Sequence, residues 1–221
     1  MSVWAILVAA GRGERLGLDQ PKAFAKLGED PLLAEPLRRL DDSDWVDAIV
    51  VVAPPGWEEP SILLAEELGC GKVSACVTGG ERRADSVRLG LAEVPGDAVA
   101  VLVHDAARPL VSEVVIERVL APLAEGWDGA VPGLPVSDTL KRVGSDGAVL
   151  ETVARDSLYT VQTPQAFPAD VLRRAVAGGG DATDCAGLVE ASGGRVKVVP
   201  GDPLLLKVTT ADDLAKIAAW R

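Results

Sequence analysis

The 221-residue sequence predicts an α/β fold, a mostly parallel twisted sheet with helices on both faces. Three observations carry this expectation. Short apolar, β-branched runs recur along the chain. They alternate with stretches of helical periodicity. Within each run both sides are apolar, as befits a strand covered on two faces. Such alternation makes strand–helix–strand units, and right-handed crossovers then build a parallel sheet. The length suits a single domain, residues 1–221, and 48% apolar residues can fill its core without staples.

The elements follow in order. Residues 3–9, 48–53, 73–77 and 99–104 read as strands buried on both faces. Residues 85–95 read as a helix, because Val87, Leu91 and Val94 recur at i, i+4 and i+7. A second helix covers 112–124, with Val115, Ile116, Val119, Leu120 and Leu123 inward and Ser112 placed to cap it. Residues 139–143 and 148–153 form a hairpin about Gly144-Ser-Asp-Gly147, where Asp-Gly supplies the turn. This hairpin interrupts the alternation and has no core of its own to pack on. It is therefore expected to be an arm, at about residues 136–160, that needs a partner surface. Residues 178–180, all glycine, read as a flexible loop. The run Thr210-Ala-Asp-Asp213 has the form of a capping box before Leu214 and Ile217.

Composition excludes several function classes. A net charge of −11 opposes nucleic-acid binding, because a phosphate backbone needs a basic face. The apolar run at residues 3–10 is too short to span a bilayer and lacks a basic region before it, so a cytoplasmic protein without a membrane partner is expected. Cys70, Cys76 and Cys185 form no paired spacing and no zinc pattern, and read as packing residues in a reducing compartment. The absence of Asn, with three Gln and one Met, leans towards a thermophilic source, although genome composition produces the same bias.

Chemistry concentrates between the elements. Directly after the first strand comes Ala9-Ala-Gly-Arg-Gly-Glu-Arg15, followed by Pro21-Lys22. Gly11 and Gly13 allow close backbone approach, while Ala9 and Ala10 leave room for a base or phosphate. The spacing matches neither the dinucleotide fingerprint nor the Walker loop. Arg15 and Lys22 instead flank the loop with two cations, which suits a triphosphate whose charge rises at the reacting phosphorus. The next motif is Gly79-Gly-Glu-Arg-Arg-Ala-Asp-Ser86. It is either a glycine turn with a charged first helical turn, or a surface where Gly80, Glu81 and the Ser86 hydroxyl meet the edge of a base. Then His104-Asp-Ala-Ala-Arg-Pro109 lies at the carboxyl end of a strand, where ligands of open α/β sheets gather. Asp105 can bind Mg²⁺ together with phosphate oxygens. Arg108 can pair with a phosphate or orient Asp105. His104, the only histidine, fits a hydrogen-bonded sheet-edge residue better than an acid or base. Thr139, Lys141, Arg155, Thr163, Thr183 and Lys207 are each, taken alone, compatible with turns or caps.

In combination and in this order, these residues resemble the 2-C-methyl-D-erythritol 4-phosphate cytidylyltransferases of the non-mevalonate isoprenoid pathway. The resemblance rests on the glycine loop with Arg15 and Pro21-Lys22, on Gly79, Gly80, Arg83, Ser86 and Val87, on residues 104–109 complete, and on Thr163-Pro-Gln165. It implies a Rossmann-like nucleotidyltransferase sheet, a homodimer held by exchanged hairpin arms, Mg²⁺, and CTP as a substrate. It also implies Arg15 and Lys22 on the triphosphate, with Arg155 and Lys207 positioning the substrate phosphate and Arg155 coming from the other subunit. Asp105, Arg108, Thr139, Thr163 and Thr183 are expected on the substrate side. Ribitol 5-phosphate as the acceptor, or a non-catalytic nucleotide-binding module, are the alternatives. Two departures stand out: Leu205 where the family usually has Asn, and Cys185 where an acidic residue often follows Thr-Asp.

Overall fold

The computed structural model describes residues 2–11, 13, 17, 19–179 and 182–221. Its main sheet runs through β1 (Val3–Val8), β4 (Ala48–Ala53), β5 (Val73–Thr78) and β6 (Ala100–Asp105), all parallel, in the order β6-β1-β4-β5. The chain leaves β1 outward to β4 and β5, then crosses back to place β6 on the other side of β1. The strand order therefore reverses between β1 and β6, and a crevice opens at their carboxyl ends. Val8 lies opposite Asp105 in that pair, so Asp105 stands at the rim of the crevice.

Alternation along the strands sorts side chains into two layers. Ala5, Leu7, Ile49, Val51 and Leu102 join one core with α1 (Ala34–Asp41), α2 (Glu58–Glu67) and α4 (Glu113–Ala124). Ile6, Val50, Val52, Val101 and Val103 join the other with α3 (Arg83–Ala92), α5 (Ala169–Ala177) and α6 (Cys185–Ala191). Helices thus cover both faces, as expected from the sequence.

The sheet is more mixed than its first half announces. Next to β6 lies β11 (Gln165–Pro168), antiparallel, followed by β7 (Gly129–Pro135). β10 (Tyr159–Val161) pairs antiparallel and β12 (Val196–Pro200) parallel with β7. Among the four expected strands, β5 departs from burial on both faces. It bonds only to β4, and Ser74 and Thr78 are exposed, because β5 is an edge of the sheet.

Helix α3 starts at Arg83 and ends at Ala92, earlier than the periodicity implied, since the chain must turn before Pro95. Ser112 occupies the N-cap position of α4, but its hydroxyl makes no capping bond. The expected capping box is present at α7 (Ala211–Trp220), with Thr210 and Asp213 exchanging bonds. Gly178 and Gly179 end α5, and Gly180 lies outside the described residues.

The hairpin forms as β8 (Leu140–Val143) and β9 (Val149–Val153), a separate two-stranded sheet. Gly147 turns with φ +83°, a conformation that favours glycine, and the Gly144 amide donates to the Ala148 carbonyl. Only the turn differs in detail from a two-residue loop, because Asp146 keeps a negative φ. The arm is rooted where the Val136 amide donates to the Leu158 carbonyl at 3.1 Å.

Candidate functional site

A cleft of about 610 Å³ opens where the strand order reverses. Ala9, Ala10 and Gly11 lead out of β1 along its floor, Gly79, Gly80 and Glu81 form one wall, and Lys22, Asp105 and Lys207 bring charge to it. The sequence therefore named residues from four distant segments that fold to one place.

Asp105 is the centre of the charge pattern. Its Oδ1 accepts from Nε and Nη2 of Arg83 at 3.0 and 2.9 Å, and its Oδ2 accepts from Lys207 Nζ at 2.7 Å. Its side chain is only 10% exposed. Burial pushes its pKa up, but the neighbouring Arg83 and Lys207 outweigh that and hold the carboxyl well below its usual range. Arg83 belongs to a sequence motif but does not stand out within it as a site residue. The motif sets position 83 apart from Arg82 and Arg88, but it gives the arginine no role. Arg82 and Arg88 pair instead with Asp85 on the helix surface. Arg83 Nη1 also donates to Cys185 Sγ at 3.4 Å. Cys185 is thus packed, as expected, and also serves the guanidinium from the position of the missing acid. The other two thiols, Cys70 and Cys76, are pushed up to about 11 by burial and stay out of the cleft.

The backbone of Asp105 is fixed from behind. Its amide donates to Thr163 Oγ1 at 3.0 Å, and Thr163 Oγ1 lies 3.2 Å from His104 Nδ1. His104 Nε2 in turn lies 3.0 Å from the Arg108 carbonyl. A hydroxyl that accepts from the amide can donate to Nδ1, which leaves the ring proton on Nε2 for the carbonyl. His104 is fully buried, and burial lowers its pKa to about 4. It is a neutral strut, in keeping with the sheet-edge role, and Thr163 is a strut too.

Arg108 does not orient Asp105; Arg83 does. Arg108 Nη1 donates to the Leu205 carbonyl at 2.6 Å, and its Nε is the one buried side-chain nitrogen or oxygen without a partner among the described residues. That bond runs through main chain, so Leu205 holds this edge with its carbonyl and buries its side chain in the core. Ser86 Oγ accepts from the Gly80 amide at 3.1 Å, so its hydroxyl fixes the glycine turn. A Cβ on Gly79 would stand 2.1 Å from that of Ala10, and one on Gly80 2.5 Å from that of Asp85. Both glycines are thus required for the wall to close on the floor. Gly13 has φ +70° and packs against Lys22, whose Nζ donates to the Val208 carbonyl at 3.1 Å.

Several expected residues do not reach the cleft in one chain. Arg155 and Thr139 lie exposed on the arm, and Thr183 is exposed just before the N-cap of α6. Arg15 lies outside the described residues. No group of three or more His, Cys, Asp or Glu side chains suited to a metal occurs among the described residues. Asp105 is a single carboxylate with both oxygens ion-paired, which fits a cation carried mainly by phosphate oxygens and not a resident one. No described helix is long and apolar enough to cross a membrane.

Comparison with known proteins gives the family and the fold. The IspD family, 2-C-methyl-D-erythritol 4-phosphate cytidylyltransferase, matches residues 3–220. A protein of that description from Saccharopolyspora erythraea is 50% identical over 97% of both chains. One from Pelotomaculum thermopropionicum is 42% identical over 96% of this chain and 91% of its own. The crystal structure of the Thermus thermophilus enzyme of the same name superposes with a TM-score of 0.79 at 35% identity, over 100% of this chain and 98% of that one.

Proposed function

The chain belongs to the 2-C-methyl-D-erythritol 4-phosphate cytidylyltransferase family, and from that membership we propose how its own residues carry out the transfer. It is a nucleotidyltransferase of isoprenoid precursor biosynthesis, and the family match does not favour ribitol 5-phosphate or a non-catalytic module. CTP and methylerythritol phosphate are its substrates. A phosphate oxygen of methylerythritol phosphate attacks the α-phosphorus of CTP. The new P–O bond forms as the bond to the bridging oxygen breaks, and pyrophosphate leaves. A phosphate monoester has a second pKa of about 6, so the nucleophile is already ionised at neutral pH. No general base is required, which accords with a buried, neutral His104.

The observation that carries this reading is the convergence of Lys22, Asp105 and Lys207 on one cleft beside the Gly79-Gly80 wall. Lys22, with Arg15, would meet the triphosphate and offset the charge that builds on it. Lys207 would meet the acceptor phosphate, and the Asp105 pair holds its ammonium at the rim meanwhile. Backbone at Ala10 and Gly80, beside Glu81, would meet the cytosine edge. Asp105 would help to hold Mg²⁺, which would supply charge neutralisation to the phosphates. Arg155 and Thr139 would reach the acceptor of a neighbouring subunit, in a homodimer joined through the arms.

The test is pyrophosphate release from CTP and methylerythritol phosphate, with Mg²⁺. Lys22→Ala should fold normally and lose about 10²–10³ in turnover at saturating substrates. Wild-type turnover in that variant would remove Lys22 from the triphosphate.

A further inference from the structure

We propose that Arg221 is a positioning residue for Lys22, clamping from a distance the segment on which Lys22 stands. The proposal rests on the assignment of Lys22 to the triphosphate. Lys22 opens a single 3-10 turn, Lys22–Phe24, which runs into β2 (Lys26–Leu27) and β3 (Asp30–Pro31). These two strands pair only with each other, and so small a ribbon has little stability alone. The amides of Leu32 and Leu33 donate to the carbonyls of Ala25 and Ala23, both at 2.8 Å. The Lys22 turn is thereby zipped to the entry of α1, and the two must shift together.

What holds that unit down comes from the far end of the chain. Leu27 and Leu32 share a small buried cluster with Val208 and with Ile217 of α7. Val208 also accepts from Lys22 Nζ and directly follows Lys207, so both cleft lysines hang from this cluster. Just past α7, Arg221 donates from Nη1 to the Leu27 carbonyl at 3.1 Å and from Nη2 to Asp30 at 3.0 Å. Its Nε lies 3.0 Å from Glu35. Arg38 meets Asp30 at 2.8 Å and Arg39 meets Glu35 at 2.7 Å, which extends the charges across β3 and α1.

One guanidinium therefore joins β2, β3 and α1 to α7. The planar fork makes three contacts that a lysine cannot reproduce. Half-exposed pairs contribute little to stability singly, so the significance here is geometric. A displacement of about 1 Å at a charge-stabilising group can cost about 10²-fold in rate.

A double-mutant cycle between Arg221 and Lys22 reads this directly, with kcat measured at saturating CTP and methylerythritol phosphate. Arg221→Ala alone is expected to lower kcat about tenfold, with a thermal midpoint within a few degrees of wild type. In the Lys22→Ala background the same substitution is expected to cost less than about twofold, because the group it positions is gone. Arg221→Lys should recover part of the loss. Should Arg221→Ala fail to fold, Asp30→Asn removes one arm of the clamp, leaves α7 intact, and carries the same cycle. Additive losses, or an unchanged kcat in the Arg221 or Asp30 variant, would overturn the proposal. Wild-type turnover in Lys22→Ala would overturn it together with the triphosphate assignment, an outcome the single mutant distinguishes from failure of the clamp alone.

Discussion

The cleft is held from every side, whereas the arm is held at its root. The polar groups of Asp105 itself all meet others within the same chain: two cations on its oxygens, a threonine on its amide, a histidine behind the threonine. On the arm, Val149 and Leu150 are 60% and 65% exposed, and Val143 and Tyr159 stand open as well. Among the described residues the cleft is braced within one chain, but the residues assigned to its acceptor side are not all there. Arg155 and Thr139 are on the arm. A region that satisfies its own charges and a region that leaves its apolar side chains in water ask different things of a partner, and this chain contains both.

The sharpest way to break the comparison is to remove the group on which the cleft is centred. Asp105→Asn keeps the shape of the side chain but leaves Arg83, largely buried, and Lys207 without their carboxylate. Breaking a buried pair in this way is expected to cost about 3 kcal/mol of stability. Turnover should fall by about 10² or more. Urea unfolding and pyrophosphate release measure the two. An Asn variant as stable as the parent would mean that solvent already carries the two cations and that the cleft is no more self-sufficient than the arm.

A finer cut falls on the strut behind Asp105. His104 has a folded-state pKa of about 4, lowered by burial from 6.5. Its surroundings are Thr163, the Arg108 carbonyl, and the charges of Asp105, Arg108 and Arg83. Because the folded value lies below the unfolded one, the unfolded chain takes up the proton first as pH falls. Stability is therefore lost between about pH 6.5 and 4, amounting to about 3 kcal/mol. Carboxylates held low in the folded chain also lose stability as pH falls, but the chain has one histidine, so the difference from a His104 variant isolates its share. Thermal midpoints of wild type and His104→Gln, followed from pH 7 to 4.5, should converge as pH falls. Parallel curves would show that the ring is hydrated. Variants of the arm should leave the slope unchanged.

How much of this was legible in the sequence differs between the same two regions. The four parallel strands were readable because each is a short run dominated by apolar residues, and β4 and β6 are buried throughout. β7 and β11 were not readable. Gly129, Pro132, Gly133 and Pro135 interrupt one, and the other has four residues, so neither carries a period. Asp105 and Lys22 announced themselves through motif context. For Arg83 the motif marked the position but not the role, because that role depends on which way one helix end faces, and only tertiary packing decides that. The hairpin was legible from its Asp-Gly turn. Its exposure was implied by the lack of a neighbouring apolar stripe, but the identity of any covering surface is not written in local pattern.

The arm itself supplies the remaining comparison, since its exposed valines and leucine and its distant Arg155 have a common explanation if a second copy of the chain completes the acceptor side. In closed two-fold symmetry one Arg155 would serve each cleft of the neighbour. Arg155→Ala and Lys22→Ala should then each be nearly inactive as separate preparations. After mixing and re-equilibration, half of the dimers would be mixed, and in each of those one cleft would carry both lesions and the other neither. Activity should rise towards about one quarter of wild type, as two-fold pairing requires. The rise should depend on exchange time, and exchange itself is readable from a mass-tagged subunit. If tagged subunits exchange fully and activity stays at the sum of the two inactive preparations, Arg155 acts within its own chain or not at all, and the exposed apolar face of the arm serves another purpose.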